Sequence, residues 1–389
     1  MRVLVVALLA LVAIGCDSSH ERHGSSAAAE PDLAALLNGA DNESFAVADR
    51  PRKFRFPEDH GPHPAFRNEW WYFTGNLRDA AGRRFGYELT IFRFSLTPAP
   101  NDAAPSIWAT HQVFVGHFAV SDIADERFLV AERLSRAQPL MATARAAPFE
   151  VRIQDWSMRA ISADPELTWR LVAADEQHGI DLTVTALRPP VLQGNRGWSQ
   201  KSADPRNSSY YYSVPRWATS GTVRVGDEEY VVAGESWLDR EWSTSALADD
   251  QAGWDWFALQ LDDGSELMYY QLRRRDGAAD PYSGGSVRRA NGELVQLGRD
   301  DVMLTVTDSW TNGAGDVYPS GWQLIVPSIG LDVVVEPAMA DQELSTIVRY
   351  WEGAVDVRGR SAGTSVGGHG YVELTGYAGA SGSAGGRSQ

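Results

Sequence analysis

Along most of the chain, apolar and polar residues alternate with a period of two. Phe85, Tyr87, Leu89 and Ile91 are interleaved with Gly86, Glu88, Thr90 and Phe92. They follow the aromatic run Asn68-Glu69-Trp70-Trp71-Tyr72-Phe73-Thr74-Gly75-Asn76-Leu77 after the turn residues Arg78-Asp79-Ala80-Ala81-Gly82. Two such runs about a short glycine-containing turn predict a β-hairpin. Alternation returns at 108–120, 149–153, 169–173 and 180–187. A second hairpin runs through Trp254-Asp255-Trp256-Phe257-Ala258-Leu259-Gln260-Leu261, turns at Asp262-Asp263-Gly264-Ser265 and comes back over 266–274. Further runs at 302–306, 322–326, 331–335, 350–357 and 370–376 complete the set. No period of 3.6 persists for three turns, so the chain is expected to be all-β, a barrel or a sandwich. The second hairpin repeats the order of features in the first, as two related β domains would. A boundary near 246–253 gives domains at 51–249 and 250–377.

Composition narrows the partners. A chain of 389 residues, 43% apolar and 10% aromatic, can bury a real core. Its 35 basic and 51 acidic residues give a net charge of −16, which argues against nucleic acid and against polybasic attachment to anionic lipid. Lys53 and Lys201 are the only lysines; arginine supplies nearly all the positive charge, a bias that reads as genome composition.

The N-terminus has the layout of an export signal: Arg2, an apolar run over 3–14, then small residues. Twelve apolar residues are too few to span a bilayer as a helix. The run ends Ala13-Ile14-Gly15-Cys16, like a bacterial lipobox, and Cys16 is the only cysteine. A lone cysteine forms no internal disulfide, so lipidation of Cys16 is expected, with simple secretion as the alternative. Residues 1–16 are then a lipoprotein signal peptide. Residues 17–50, polar and rich in serine and alanine with a helix-like patch at 33–37, form a flexible tether, and the Gly/Ser/Ala stretch 378–389 a disordered tail. The expected location is the periplasmic side of the cell envelope, at a membrane.

The densest chemistry lies in Gly234-Glu235-Ser236-Trp237-Leu238-Asp239-Arg240-Glu241-Trp242, which continues the β-like run 229–233. On a strand, Glu235, Trp237, Asp239 and Glu241 share one face, while Ser236, Leu238, Arg240 and Trp242 share the other. Three carboxylates on one face repel each other. They belong either on a solvated strand end with a structural ion pair, or on a cavity floor where one acid is protonated or paired with Arg216 or Arg240. Other chemistries fail on spacing. Gly234-Glu235-Ser236-Trp237-Leu238 lacks the second glycine of a nucleophile elbow. His111 and His117 are roughly 20 Å apart on a strand, too far for one ion, and His20 and His23 cannot share a helix face. His60 and His63 read as loop residues. No metal and no cofactor is expected.

Five motifs in order carry a resemblance: Glu69-Trp70-Trp71-Tyr72-Phe73-Thr74-Gly75, Trp237-Leu238-Asp239-Arg240-Glu241-Trp242, Gly253-Trp254-Asp255-Trp256-Phe257-Ala258-Leu259-Gln260-Leu261, Tyr350-Trp351-Glu352-Gly353 and Gly370-Tyr371-Val372-Glu373-Leu374-Thr375-Gly376-Tyr377. Over 57–377 the chain resembles the AttH-like/carotenoid 1,2-hydratase family. The resemblance implies two packed lipocalin-like β-barrels. Members are often described as secreted hydrolases, and some are encoded beside ABC-transporter permeases. The best-known enzymes of the family protonate an isoprenoid double bond and add water, while fungal relatives guide cyclisations. Asp239 matches the family's candidate proton donor. Trp237 stands where the dedicated hydratases carry tyrosine, and Tyr210-Tyr211-Tyr212 where they carry a histidine and a tryptophan, so the resemblance leaves the substrate open.

The acid and the aromatics suit each other. An alkene is a poor base, so its protonation needs a neutral carboxylic acid, and an apolar pocket favours that form. Aromatic faces then stabilise the carbocation by about 0.5–2 kcal/mol each without trapping it. Trp70, Trp71, Trp254 and Trp256 equally suit a barrel core. The expected site has Asp239 as proton donor, with Glu241 as the partner keeping the shared proton. Trp237, Tyr210, Tyr212, Trp70, Trp254 and Trp256 would surround an apolar ligand, Tyr210 and Tyr212 donating to a water and Arg240 acting as counter-ion on the opposite face. Two functions fit: an acid-catalysed hydratase or hydrolase of an isoprenoid or lipid, or a lipid-anchored carrier serving an ABC-transporter permease.

Overall fold

The computed structural model describes residues 44–98, 110–162, 167–245 and 247–379. They form two sheets of antiparallel strands with only single turns of 3-10 helix. The first sheet begins with β1 (Asn68–Asp79), β2 (Arg84–Ser95), β3 (Gln112–Asp122) and β4 (Arg127–Arg136). It continues with β5 (Ala142–Arg145), β6 (Glu150–Ile153), β7 (Trp156–Ala160), β8 (Thr168–Ala174) and β9 (His178–Ala186). The short β10 (Val191–Leu192) and β11 (Trp198–Gln200) precede two long strands, β12 (Ser208–Val225) and β13 (Glu228–Ser243). The second sheet holds β14 (Gln251–Leu261), β15 (Glu266–Arg274), β16 (Gly284–Arg288), β17 (Leu294–Gly298) and β18 (Met303–Thr311). It ends with β19 (Val317–Val326), β20 (Leu331–Pro337), β21 (Glu343–Ser345), β22 (Arg349–Ser361) and β23 (Thr364–Leu374).

In the first sheet the order β4-β3-β2-β1-β13-β12-β9-β8-β7-β6-β5 curls round until Gly116 of β3 meets Ile153 and Trp156, giving a nearly closed barrel. In the second, β17-β16-β15-β14-β23-β22-β20-β19-β18 makes a half-barrel. The architecture is thus all-β, with two lipocalin-like units. Each has its own apolar interior. Trp71 and Phe73 of β1, Tyr210 and Tyr212 of β12 and Leu238 and Trp242 of β13 belong to the first. Phe257, Leu259, Trp322 and Trp351 belong to the second.

The alternate residues of these central strands are buried too, because the two units cover one another. Tyr72, Tyr211, Trp237 and Trp256 form a third cluster with Met268, Tyr270 and Tyr371 between the sheets. Strands buried on both faces read as nearly continuous aromatic runs, which is why β1 and β14 stand out in the sequence.

Several strands escape the alternation pattern: β4, β5, β7, β10, β11, β16, β17 and most of β12. The last is interrupted by Pro215, and the β12–β13 register shifts between Val214 and Trp217. A proline lacks the N–H that a ladder needs, so it sits where pairing is already broken. Packing also starts earlier than residue 51. Phe45 and Ala48 are buried, and the Trp198 indole donates to the Ala48 carbonyl at 2.8 Å, so the last residues of the expected tether lie on the first barrel. Cys16, the signal segment, the patch at 33–37 and the tail from 380 fall outside the described residues.

Candidate functional site

The two units enclose a small cavity, about 70 Å³ in volume, within an atom-free space of about 740 Å³ that includes its mouth. Its first wall is built by β1, β12 and β13. In their ladders Asp239 lies opposite Tyr72 and Ser213, and Glu241 opposite Trp70 and Tyr211. Residues opposite one another share a face, so these two rows point together out of the first barrel. Trp254 and Trp256 of β14, Tyr270 of β15, Glu352 of β22 and Glu373 of β23 close the space from the second unit.

Asp239 is 4% exposed. Its Oδ1 accepts from Ser213 Oγ at 2.6 Å and from Trp237 Nε1 at 2.7 Å, and its Oδ2 accepts from the Tyr211 hydroxyl. The Tyr211 oxygen in turn accepts from Trp256 Nε1 at 3.1 Å. Ser213 Oγ accepts from Gln193 Nε2 at 2.9 Å, and Gln193 Oε1 from Ser286 Oγ at 2.8 Å. Two arms from the second unit, Trp256 and Ser286, therefore fix an acid of the first. Burial pushes the Asp239 carboxyl up to about 7; its three donors oppose that shift, and the nearby charge of Glu241 adds to it. Near neutrality both protonation states are populated, which suits proton exchange with a ligand.

The other acids of this face find cations. Glu241 pairs with Lys201 at 3.4 Å, and the ammonium lies 4.1 Å from the Tyr270 ring centre. Burial works against the Lys201 charge, but Glu241 and the other negative groups outweigh it and raise its pKa, so it stays protonated. Glu235 is held by Arg216 at 2.6 Å. On the facing wall, burial pushes Glu373 up to about 8, against a hydrogen bond from Trp254 and with the charges of Asp239 and Glu241.

The expected site residues divide. Asp239, Glu241, Trp70, Trp254 and Trp256 line the cavity. Trp237 is 3% exposed and acts behind it, donating to Asp239 while its ring meets Trp256 edge-on at 6.3 Å. Tyr210 and Tyr212 point the other way, and this corrects their placement: Tyr210 donates to the Arg50 carbonyl at 3.0 Å, and the Tyr212 hydroxyl meets His60 Nδ1 at 2.6 Å. The pairing with Glu241 puts Tyr211 on the cavity side, in the place expected for its neighbours. Arg240 lies on the opposite face, bound to Glu69 and stacked 4.0 Å over Trp71. Lys201, Tyr72, Glu352 and Glu373 are cavity residues that sequence reasoning did not single out. Among the described residues, no three His, Cys, Asp or Glu side chains are grouped to hold a metal ion.

Comparison with known proteins places this geometry in a family. The AttH-like family model matches residues 47–377. Kievitone hydratase of Fusarium solani subsp. phaseoli is 23% identical over 239 residues, 60% of this chain and 67% of that protein. A crystal structure of a putative AttH from Nitrosomonas europaea superposes with a TM-score of 0.75 at 33% identity, covering 86% of this chain and 100% of the other. Kievitone hydratase from Nectria haematococca shares the fold, with a TM-score of 0.65 at 17% identity over 87% of this chain and 97% of the other. With one family model spanning both units and a 33% identical relative covered along its whole length, the chain belongs to the AttH-like family.

Proposed function

We propose that the chain is a hydratase-type enzyme, a hydro-lyase, that adds water to the double bond of an apolar isoprenoid or lipid held between the two units. The observation that carries this reading is Asp239: a buried acid with no ion-pair partner among the described residues, poised near neutrality, among aromatic walls. The kinship with kievitone hydratase supports the reaction class.

The steps follow from the geometry. The Asp239 proton passes to the less substituted alkene carbon and leaves a carbocation on its neighbour. The faces of Trp70, Trp254 and Trp256 stabilise that charge. Water attacks the cation and loses a proton to a carboxylate, for which Glu241, paired with Lys201, is in place. The sum is addition of one water, with the enzyme returned to its starting charge once a proton moves back to Asp239. Retention of an apolar substrate fits attachment to a membrane through a lipid on Cys16. Cys16→Ser is then expected to move the protein from the membrane fraction to the soluble one, and continued membrane attachment would refute the anchor.

The test is incubation of the full chain with a panel of isoprenoid alkenes in isotopically labelled water, followed by mass spectrometry. A product carrying one labelled oxygen, absent with Asp239→Asn, is expected. Should the native protein hydrate nothing yet retain a co-purified lipid, the carrier function replaces the enzyme.

A further inference from the structure

A groove opens on the outside of the molecule where the two units meet. One stretch runs between the 189–196 segment of the first unit and the β16–β17 hairpin of the second, and includes Arg288, Leu294 and Leu297. A second stretch shares Pro190, Leu192 and Arg196 with it and continues to Pro51, Lys53 and Phe56, near the start of the folded chain. Its surface is apolar and basic. Phe56 and Leu294 are 40% and 42% exposed, and no acid among the described residues lines either stretch, although the chain carries a net charge of −16. Arg52 and Arg288 are held by Asp59 and Glu266, whereas Lys53 and Arg196 are exposed and enter no ion pair among the described residues.

The chain that leads into this groove carries a match for it. Residues 44–50 lie on the first unit: the Ala46 N–H donates to the Ala65 carbonyl at 2.9 Å, and the carbonyls of Ala48 and Arg50 accept from Trp198 and Tyr210 at 2.8 and 3.0 Å. Pro51 then enters the groove lining. Directly before residue 44, outside the described residues, stands Glu30-Pro31-Asp32-Leu33-Ala34-Ala35-Leu36-Leu37-Asn38-Gly39-Ala40-Asp41-Asn42-Glu43. It holds four acids and no base, and Leu33, Leu36 and Leu37 have the i, i+3, i+4 spacing of one apolar stripe. Reach is sufficient. Leu37 precedes Ser44 by as many residues as Ser44 precedes Pro51, so the leucines can turn back over the same distance, about 25 Å at most.

We propose that residues 30–43 fold back into this groove, with Leu33, Leu36 and Leu37 against Phe56, Pro190 and Leu192 and their acids facing Lys53 and Arg196. Because the segment belongs to the same chain as the groove, its local concentration is high and a modest patch holds it. An acidic segment of another protein would match the same charges without that advantage. A second copy would bring another body of the same negative charge. The contact takes part in neither the reaction nor the cavity. With a lipid on Cys16, it shortens the free tether from residues 17–43 to residues 17–29 and holds the two units nearer the membrane.

Disulfide trapping in the full chain tests the proposal, with Cys16→Ser removing the only native thiol. Leu36→Cys is combined either with Leu192→Cys in the groove or with Arg206→Cys outside it. Arg206 is exposed and stays within reach of the segment: it adjoins Asn207, which Ser245 contacts, as Thr244 contacts Ala46. The groove pair is expected to form its intramolecular disulfide about tenfold faster than the outside pair. Equal rates overturn the proposal, and so does a disulfide between two chains as the main product, which would make a second copy the occupant. Adding Lys53→Glu and Arg196→Glu should slow the groove pair by about fivefold, and adding Glu30→Lys and Asp32→Lys to that variant should restore the rate. Restoration also shows that the first two changes left the groove folded. A rate indifferent to the first changes, or still slow after the second, overturns the charge match.

Discussion

On the barrel side of β1 and β13, Glu69 is fully buried and bound by Arg93, Arg240 and His63. On the cavity side of the same strands Asp239 is almost as deep, yet its partners are a tyrosine, a serine and a tryptophan. Burial works against ionisation in both places. Around Glu69 the two guanidiniums outweigh it and hold the carboxyl well below its usual range, whereas neutral donors around Asp239 fail to, and its pKa rises to about 7. Depth therefore does not separate a structural acid from a reactive one; the charge of the partners does. Adjacent residues of one strand, Asp239 and Arg240, fall on opposite sides of that division because their side chains point to opposite faces.

The contrast can be broken most forcefully on the paired side. Arg240→Met leaves Glu69 with one guanidinium in a dry interior and is expected to cost about 3–5 kcal/mol of unfolding free energy, read from urea denaturation. A loss below about 1 kcal/mol would mean that the cluster is not held by charge. Asp239→Asn is expected to do the reverse. It should leave stability at neutral pH nearly unchanged and lower turnover by about 10²–10⁴-fold, the usual worth of a general acid. Retained turnover would remove Asp239 from the chemistry.

How far this contrast is legible in sequence depends on which neighbour each residue meets. That Asp239, Glu241 and Trp237 share a face, with Arg240 behind them, follows from the period of two. The fates of Trp70 and Trp71 do not. Both faces of β1 are covered, so the period sorts the two residues without saying which covering is a core and which a cavity. Three consecutive tyrosines fill both phases of β12; only the ladder partner Glu241 selects Tyr211, and the register shift beside Pro215 prevents any count from carrying through. Glu352 and Glu373 stand in quoted motifs, but their meeting is a matter of register across a hairpin. Lys201 did leave a signal. In a chain with two lysines and abundant arginine, a lysine kept in the cavity reads better as selection for a compact ammonium than as genome composition.

Titration sharpens the contrast with opposite signs. Asp239 and Glu373 have raised values in the folded protein, about 7 and about 8, so the folded state keeps protons that the unfolded chain has released. Their contribution is complete below pH 4 and is lost as the pH rises to 8. Glu69, with a depressed value, contributes above the ordinary carboxyl range and loses that as acid protonates it. Unfolding free energy is thus expected to fall between pH 5 and pH 8 by several kcal/mol, roughly 6, and Asp239→Asn should lessen that slope while leaving the acid limb alone. Equal slopes for the native protein and the variant would show that Asp239 does not titrate in this window.

The finest test sets two neighbouring hydroxyls against each other. Tyr211 donates to Asp239 Oδ2, and a donor to a carboxylate favours its ionised form. Tyr211→Phe removes that donor, so the Asp239 pKa should rise further. The general acid must be protonated to act, so the alkaline limb of the pH–rate profile should move to higher pH, by about half a unit to one unit. Tyr212→Phe deletes a hydroxyl that meets His60 inside the first barrel, on the face that never touches the cavity. It should cost about 1 kcal/mol of stability and leave the limb where it was. If both variants shift the limb alike, the two faces of β12 are coupled, and the separation of structural from reactive acids along these strands fails.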